Sequence, residues 1–409
     1  MEALDQLINE ELKEQIITPC REQEILLLNP IFVNPKSSGV YRKIMDCRNL
    51  NQYINQIHFK MEDKRTLRDN LQHNDLVSTL DLKSAYFHVP MAEESSKYLG
   101  FKYNNQYYRQ KTLCFGLTSA PHIFTQLMRL IISQLRLKIR TVSYIDDFDF
   151  LFTTESEALA GIKEIILLFR KLGLTIEWNK SNLIPSHQFT YLGFDWDTSK
   201  MIVSSSKERI YKVTNKVSQR LKQQRRKQRV RAYTIASLIG TLSSLAMCET
   251  QTHMRLIHLN KCKDIAVSNV NWSTTTYLDS EAEQELLWWK NRLQQDFALS
   301  IIPFHQDATL TTDASQDGLG AWLQLGNLRM ARQLQDQSLK KLSSNQRELQ
   351  AVEWALNKFS EAIKTHQIKD ILIQSDNTTV VQILEKRSAS ISLNNTLTNI
   401  YDYCNQLGV

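Results

Sequence analysis

The sequence predicts an α+β protein built in sections: an antiparallel sheet backed by helices, a helical stretch, and a separate α/β domain at the end. Three observations carry this. The first two hundred residues alternate short apolar runs with helix-period stretches in the order strand, helix, hairpin, helix, strand. From Lys207 to about Ala298 helical periodicity dominates. Around Pro303 strand-like composition returns, so a new domain is expected near residue 305. At 409 residues the chain exceeds the roughly 250–300 at which single cores stop growing. Its 42% hydrophobic and 23% charged residues suit a folded globular protein.

Taken in order, residues 1–30 read as a polar helix and then an apolar strand, EILLLNPIFVNPK, with Pro30 and Pro35 as breaks. KSSGVYRK reads as a hairpin whose tip is Ser-Ser-Gly. LVSTLDLKSAYFHVPM begins as a buried strand and ends in a loop. The stretch SAPHIFTQLMRLIISQLRLKIR places Ile123, Leu127, Leu130, Ile131 and Leu135 at helical spacing, with no breaker after Pro121. TVSYIDDFDFLFTT is two strand-like runs around a tight Asp-Asp turn. A second helix, ESEALAGIKEIILLFRKLG, closes at Gly173, and LTIEWNKSNLIPSHQFTYLGFDWD supplies two or three strands. Beyond it run two helical apolar stripes, Ile210, Val213, Val217 and Leu221, then Ile235, Leu238, Ile239, Leu242 and Leu245. In the last domain ATLTTDASQDGLGAWLQL and DILIQSDNTT read as strands flanking the helix SSNQRELQAVEWALNKF.

The net charge of +7 favours a polyanionic partner, nucleic acid first and an acidic membrane surface second. Six scattered cysteines, with no Cys-x-x-Cys pair and no clustered histidine, argue against a disulfide framework or a zinc site and for a reducing compartment. MEALDQLINEELKEQ lacks an apolar signal core, and no stretch approaches the roughly 20 apolar residues of a membrane span. The expectation is an intracellular protein with no membrane partner, cytoplasmic, with the nucleus open to it. No repeat of fixed period occurs, which removes solenoids and propellers.

Asp81 ends an apolar strand, and Asp146-Asp147 occupy a turn between two strands. Adjacent acids repel and need a counter-charge, which two divalent cations roughly 4 Å apart can supply. Asp also favours turns on its own account, so the Asp-Asp pair alone leaves a plain hairpin tip open. The neighbouring motifs decide: LDLKSAYFHVP, FGLTSAPHIFTQLM, YIDD, GLTIEWNKS and FTYLGFDWD, in this order, resemble the five palm motifs of the reverse transcriptases. That resemblance implies a right-hand polymerase with fingers, palm, helical thumb and connection. It implies Asp81, Asp146 and Asp147 as catalytic ligands of two Mg²⁺ ions, with Mn²⁺ as the alternative metal. Tyr86 would be the aromatic gate against a ribose 2′-hydroxyl, with plain core packing as the other reading. SGVYRKIMDCRNLN resembles the fingers segment that holds the incoming dNTP triphosphate, implicating Arg42 first and Lys36 second. Phe115 and Gly116 would lie under the incoming nucleotide, and Lys180 would face the leaving pyrophosphate, with a merely solvated lysine as the other reading. His88 and His122 have no second ligand nearby and read as structural.

RLKQQRRKQRVR carries Arg220, Lys222, Arg225, Arg226, Lys227, Arg229 and Arg231, a density that tracks nucleic-acid phosphates. The resemblance makes this a thumb helix on the template-primer; a solvated face or a nuclear-localisation signal are the alternatives. Trp288 and Trp289 read as packing residues of the connection.

Asp313, Glu348 and Asp376 form a second spaced acid set, two expected on strands and one on a helix. Their setting resembles the ribonuclease H fold, which implies two-metal cleavage of RNA in an RNA-DNA hybrid. That family uses a fourth acid on a later element; Asp402 lies too early to be it, so the domain reads as C-terminally incomplete and its nuclease activity as open. The expected sections are fingers and palm at 1–205, thumb at 206–260, connection at 261–304 and the ribonuclease H-like domain at 305–409. TDAS, REL within a helix, SDNTTVV and the upstream EQELLWW look most like DIRS-type retrotransposons, with Gypsy-type elements, pararetroviruses and retroviruses as the alternatives. The implied partners are an RNA template, a DNA primer, RNA-DNA hybrid and dNTPs, within a retrotransposon polyprotein. A catalytically silent nucleic-acid-binding subunit and an RNA-dependent RNA polymerase are the competing classes. The intact acids argue against the first and the aromatic at Tyr86 against the second.

Overall fold

In a computed structural model of the chain, residues 2–35, 41–267 and 272–409 are described. The backbone divides into two compact units, Met1–Leu192 with Trp196–Lys200, and Gly193–Asp195 with Met201–Val409.

The first unit is built on a four-stranded antiparallel sheet in the order Arg140–Tyr144, Asp147–Phe152, Leu76–Asp81, Asn182–Ser186. Period-two alternation in DFDFLF turns Phe148, Phe150 and Phe152 to one face, where all three are buried. There Phe169 of the helix Glu155–Lys171 meets Phe148 edge-on at 5.5 Å. Gly161 on the same helix admits the sheet closely, since a Cβ would stand 2.6 Å from the Phe152 ring. Where two strands of this sheet begin, Arg140 clasps the buried Asp75 carboxylate through two hydrogen bonds of 2.6 and 2.9 Å.

The expected helix over SAPHIFTQLMRLIISQL forms as Ala120–Leu135, with Pro121 in its first turn. Its buried face differs from the expected stripe. Ala120, Phe124, Met128, Ile132 and Leu135 point inward, while Ile123, Leu127 and Leu130 are exposed. The row headed by Phe124 prevails because its ring packs edge-on against Tyr86 at 5.9 Å.

The first thirty residues belong to this unit. After the helix Glu2–Lys13, the strand Ile17–Cys20 extends the hairpin Gly100–Tyr103/Gln106–Gln110, and Glu11 forms a buried ion pair with Lys43. The strand expected from EILLL onward starts only at Ile31. Before it, Leu26 and Asn29 bond singly to the carbonyls of Lys97 and Gly100, without the partner strand a ladder needs. Ile31–Pro35 and Tyr41–Met45 pair as the expected hairpin, Asn34 opposite Arg42. Its tip, with Lys36, lies outside the described residues.

The second unit opens with the helices Lys207–Arg225, Ala232–Ser243, Ile257–Val267 and Ser280–Arg292. Val213, Val217 and Leu221, and Ile235, Leu238, Ile239, Leu242 and Leu245, are buried as the stripes require. Buried Glu285 caps a neighbouring helix, accepting from the His258 and Leu259 N–H groups at 2.8 and 2.9 Å. Trp289 is fully buried with its indole N–H on the Arg255 carbonyl, and the Arg255 guanidinium lies over Trp288, so both tryptophans pack as expected.

The C-terminal part holds a sheet in the order Leu328–Gln335, Gly318–Leu325, Ala308–Ala314, Ile371–Gln374, antiparallel except for its last pair. The run read as one strand over 308–325 is two, joined by a turn at Ser315–Gly318. Leu328–Gln335 was not expected as a strand, since Arg332 interrupts the alternation of Leu328, Met330 and Leu334 and polar residues line the exposed edge. The helix Ser344–Lys358, capped by Ser343 and Gln346, covers the sheet. Among the described residues no helix is long and apolar enough to cross a membrane.

Candidate active site

Asp81 ends its strand directly opposite Asp147, and Asp147 stands opposite Tyr144 across the next hairpin. Ile145 and Asp146 close that hairpin. Ile145 takes φ 55°, a left-handed conformation costing a β-branched residue on the order of 1–2 kcal/mol. The Asp146 carbonyl accepts from the Leu82 N–H at 3.1 Å, which ties the strained tip to the end of the Asp81 strand.

Burial first, and then the charges of Asp146 and Asp81, push the Asp147 carboxyl up to about 7. Burial and Asp81 also raise Asp146, against the opposing pull of Lys180 and Arg42. Lys180 Nζ lies 3.3 Å from Asp81 Oδ1 and is itself largely exposed. One exposed lysine does not neutralise three carboxylates, and that surplus of negative charge fits divalent cations. Behind the group, buried Asp149 is held well above the usual carboxylate range by burial and by Asp147.

The segment GLTIEWNKS holds Asp81 from its other side. Glu177 N–H donates to the Asp81 carbonyl at 2.8 Å, and Asp81 N–H donates to Ser181 Oγ at 3.0 Å. Neither Glu177 nor Ser181 stood out in the sequence, since both act on backbone atoms that no spacing reveals.

Next to the acids lies an aromatic platform. The Arg42 guanidinium sits 4.1 Å above the Phe115 ring, and Tyr86 packs against Phe115 at 4.9 Å. Tyr86 is 7% exposed, so it is both packed and at the site's edge, where Asp146 helps burial raise its hydroxyl. Gly116 follows with φ 113°, and a Cβ there would stand 1.9 Å from the Met45 carbonyl oxygen. Asn51 clamps this turn, donating to the Gly116 carbonyl and accepting from the Thr118 N–H, each at 2.9 Å. Asn51 was missed because an Asn in RNLNQ has no local pattern. Asn51→Ala is expected to cost about 1–2 kcal/mol by denaturant unfolding, since it removes both bonds of the clamp; unchanged stability would remove its role in holding the turn.

The structure thus brings Asp81, Asp146, Asp147, Lys180, Arg42, Tyr86, Phe115 and Gly116 into one place. His88 is structural, bridging the Ala85 carbonyl at 3.1 Å and the Thr175 N–H at 2.9 Å. His122 packs edge-on to Phe59.

The basic run departs from a single thumb helix. Arg220, Lys222 and Arg225 are on the helix, which ends with Arg226 as its cap; Lys227 then takes φ 51°, and Arg229 and Arg231 belong to the chain reversal and the short strand Val230–Arg231. Dense like charge with no apolar residue between Leu221 and Val230 leaves the helix nothing to bury there.

A second acidic cluster is tighter than the first. Single carboxylate oxygens of Asp313, Glu348 and Asp376 all lie within 4.8 Å of one another. Asp313 is on a strand and Glu348 on a helix as expected, whereas Asp376 lies just past its strand, before the helix Thr378–Lys386. Glu348 is 5% exposed, with one buried oxygen lacking a hydrogen-bond partner, and burial with Asp376 and Asp313 raises its carboxyl. An unpartnered buried carboxylate oxygen between two other acids fits a divalent cation. Asp402 is engaged elsewhere, accepting from Gln251 at 2.6 Å and Arg255 at 3.3 Å.

Residues 34–196 match the family model described as reverse transcriptase (RNA-dependent DNA polymerase). The Transposon Tf2-3 polyprotein of Schizosaccharomyces pombe is 24% identical over 323 residues, which cover 79% of this chain and 22% of that polyprotein, and the Tf2-4 polyprotein matches equally. The chain therefore spans about a fifth of the length of these relatives. Among solved structures, foamy viral protease-reverse transcriptase in complex with double-stranded DNA superposes with a TM-score of 0.64 at 18% identity, covering 98% of this chain and 68% of that one. A complex of the foamy viral enzyme with RNA/DNA hybrid gives 0.62 at 18% identity, covering 99% and 52%. The five ordered motifs fall within or beside the stretch that matches the reverse transcriptase family model, and the chain is similar in sequence to retrotransposon polyproteins and in fold to a foamy viral reverse transcriptase.

Proposed function

We propose that this chain extends a DNA primer with dNTPs on RNA and DNA templates, as part of a retrotransposon polyprotein. The convergence of Asp81, Asp146 and Asp147 at the strained hairpin tip carries the reading. These three would hold two Mg²⁺ ions, or Mn²⁺, which when bound would supply the positive charge that polymerisation needs. Arg42, and Lys36 with it, would bind the triphosphate, a planar guanidinium matching phosphate oxygens in pairs. Phe115 and Gly116 would support the base and sugar, with Tyr86 against the 2′ position, and Lys180 would neutralise charge on the departing pyrophosphate. The basic residues from Arg220 to Lys227, exposed except for half-buried Arg220, would track the nucleic-acid backbone.

The tight cluster of Asp313, Glu348 and Asp376 supports a second site, for cleavage of RNA in a hybrid, in a ribonuclease H-like domain at 305–409. Within the retroelements, the wording of TDAS, REL and SDNTTVV supports a DIRS-type origin.

The test is extension of a DNA primer on an RNA template with dNTPs and Mg²⁺ or Mn²⁺, with the RNA strand labelled. Elongated primer is expected. A wild-type protein that adds no nucleotide with either metal, or an Asp146→Asn variant as active as wild type, would overturn the polymerase reading. Shortened RNA would separately establish the second site.

A further inference from the structure

Where the basic helix of the second unit ends, the chain forms a small surface that polymerisation does not require. Val230 is buried under the two-stranded ladder Val230–Arg231/Thr275–Thr276. Alternation therefore turns Arg229 and Arg231 outward, together with Thr275 and Tyr277. The Arg229 guanidinium lies 5.2 Å from the centre of the Tyr277 ring, and Tyr277 remains 53% exposed. The ladder continues through hydrogen bonds from Ala232 N–H to the Thr274 carbonyl and from Tyr233 N–H to the Trp272 carbonyl. This brings Tyr233, 68% exposed, and Trp272, 53% exposed, to the same short element.

Large aromatic side chains gathered and left this open on a folded surface mark a place where something binds. Here arginines interleave with them, and neither Arg229 nor Arg231 makes an ion pair among the described residues. Uncompensated positive charge selects a polyanion. The aromatic faces narrow the choice, because bases in a duplex stack on one another and offer side chains no face along its length, whereas each unpaired base has one free. Stacking of this kind is indifferent to sequence.

We propose that the surface formed by Arg229, Arg231, Tyr233, Trp272 and Tyr277 binds unpaired nucleic acid, stacking successive bases on its aromatic rings while the arginines hold the phosphates. It rests on the reading of the chain as a nucleic-acid enzyme but not on its chemistry, and DNA and RNA strands share the features it recognises.

The test uses the full chain, saturated with a blunt DNA duplex so that only the additional site is read, and titrated with fluorescein-labelled oligo(dT) and oligo(U) of twelve nucleotides. Wild type and the variants Trp272→Ala, Tyr277→Ala and their combination are compared. Each single substitution is expected to weaken single-strand binding at least five-fold, and the combination more, with duplex affinity and thermal midpoint unchanged. Quenching of Trp272 fluorescence by unlabelled oligonucleotide, lost in Trp272→Ala, gives a second reading independent of affinity. Binding of single strands equal to wild type in the double variant would overturn the proposal, as would an equal loss of duplex binding. A change in oligomeric state by sedimentation, with single-strand affinity intact, would overturn it in favour of a protein interface. Failure of wild type to extend primers while these results hold would remove the polymerase reading and leave this surface standing.

Discussion

Asp147→Asn is expected to abolish primer extension, by on the order of 10³-fold or more, and at the same time to make the metal-free protein more stable above neutral pH. The first effect follows if the carboxylate ligates metal, since loss of about 4 kcal/mol of transition-state stabilisation corresponds to a thousand-fold. The second follows from electrostatics. The Asp147 carboxyl is raised from 3.8 to about 7 by burial and by the neighbouring acids. Below pH 4 it is protonated in folded and unfolded chains alike. Between pH 4 and 7 the unfolded chain releases the proton and the folded chain keeps it, so stability falls as pH rises. Above 7 the full cost remains. Its ceiling is about 4 kcal/mol at 1.36 kcal/mol per unit, and because the carboxyl is shared with Asp81 and partly solvated, about 2 kcal/mol is expected. Thermal unfolding without metal should show the asparagine variant ahead at pH 8 and level at pH 4. Millimolar Mg²⁺ should raise the wild-type midpoint at pH 8 more than the variant's. A variant less stable than wild type at pH 8 would show that Asp147 is held by favourable contacts and is no strained ligand.

Gly116→Ala is expected to disable the proposed nucleotide platform and to destabilise the first unit by about 3 kcal/mol or more. Two costs combine: φ 113° lies outside the conformations open to L side chains, and the new methyl would stand 1.9 Å from the Met45 carbonyl oxygen. Relief requires moving either the Met45 strand or Phe115, whose carbonyl accepts from Met45 N–H at 3.2 Å. Arg42 stacks on that same Phe115 ring. Denaturant unfolding should therefore show lost stability and steady-state kinetics a dNTP KM raised ten-fold or more. Wild-type values on both measures would mean that the turn relaxes without cost and that Gly116 is no close-approach position.

Much of the first unit was legible because local chemistry repeats in sequence. The YIDD hairpin, the helices Ala120–Leu135 and Glu155–Lys171, and the order of motifs from Asp81 to Trp196 could be read from periodicity and turn residues. So could the separation of two acid sets, each of which the fold gathers. The helical stripes around Val213 and Ile235 were equally plain, since apolar residues recurring at 3.6-residue spacing fall on one face of a helix and on both faces of a strand.

Other features depended on contacts between residues far apart in the chain. Which face of Ala120–Leu135 is buried was decided by the Phe124–Tyr86 contact, not by the most regular row of aliphatic residues. Asn51 clamps a turn 65 residues away, and Ser181 holds Asp81 from 100 residues away. The basic run ends its helix at Arg225 and turns back beside Tyr277, a pairing no local pattern could announce. Sequence by itself determined which groups are candidates for chemistry, because carboxylates, glycines and helix periods carry their constraints with them. The tertiary structure alone decided which side chains position that chemistry, because hydrogen bonds and packing across the chain depend on distance in space and leave no periodic trace.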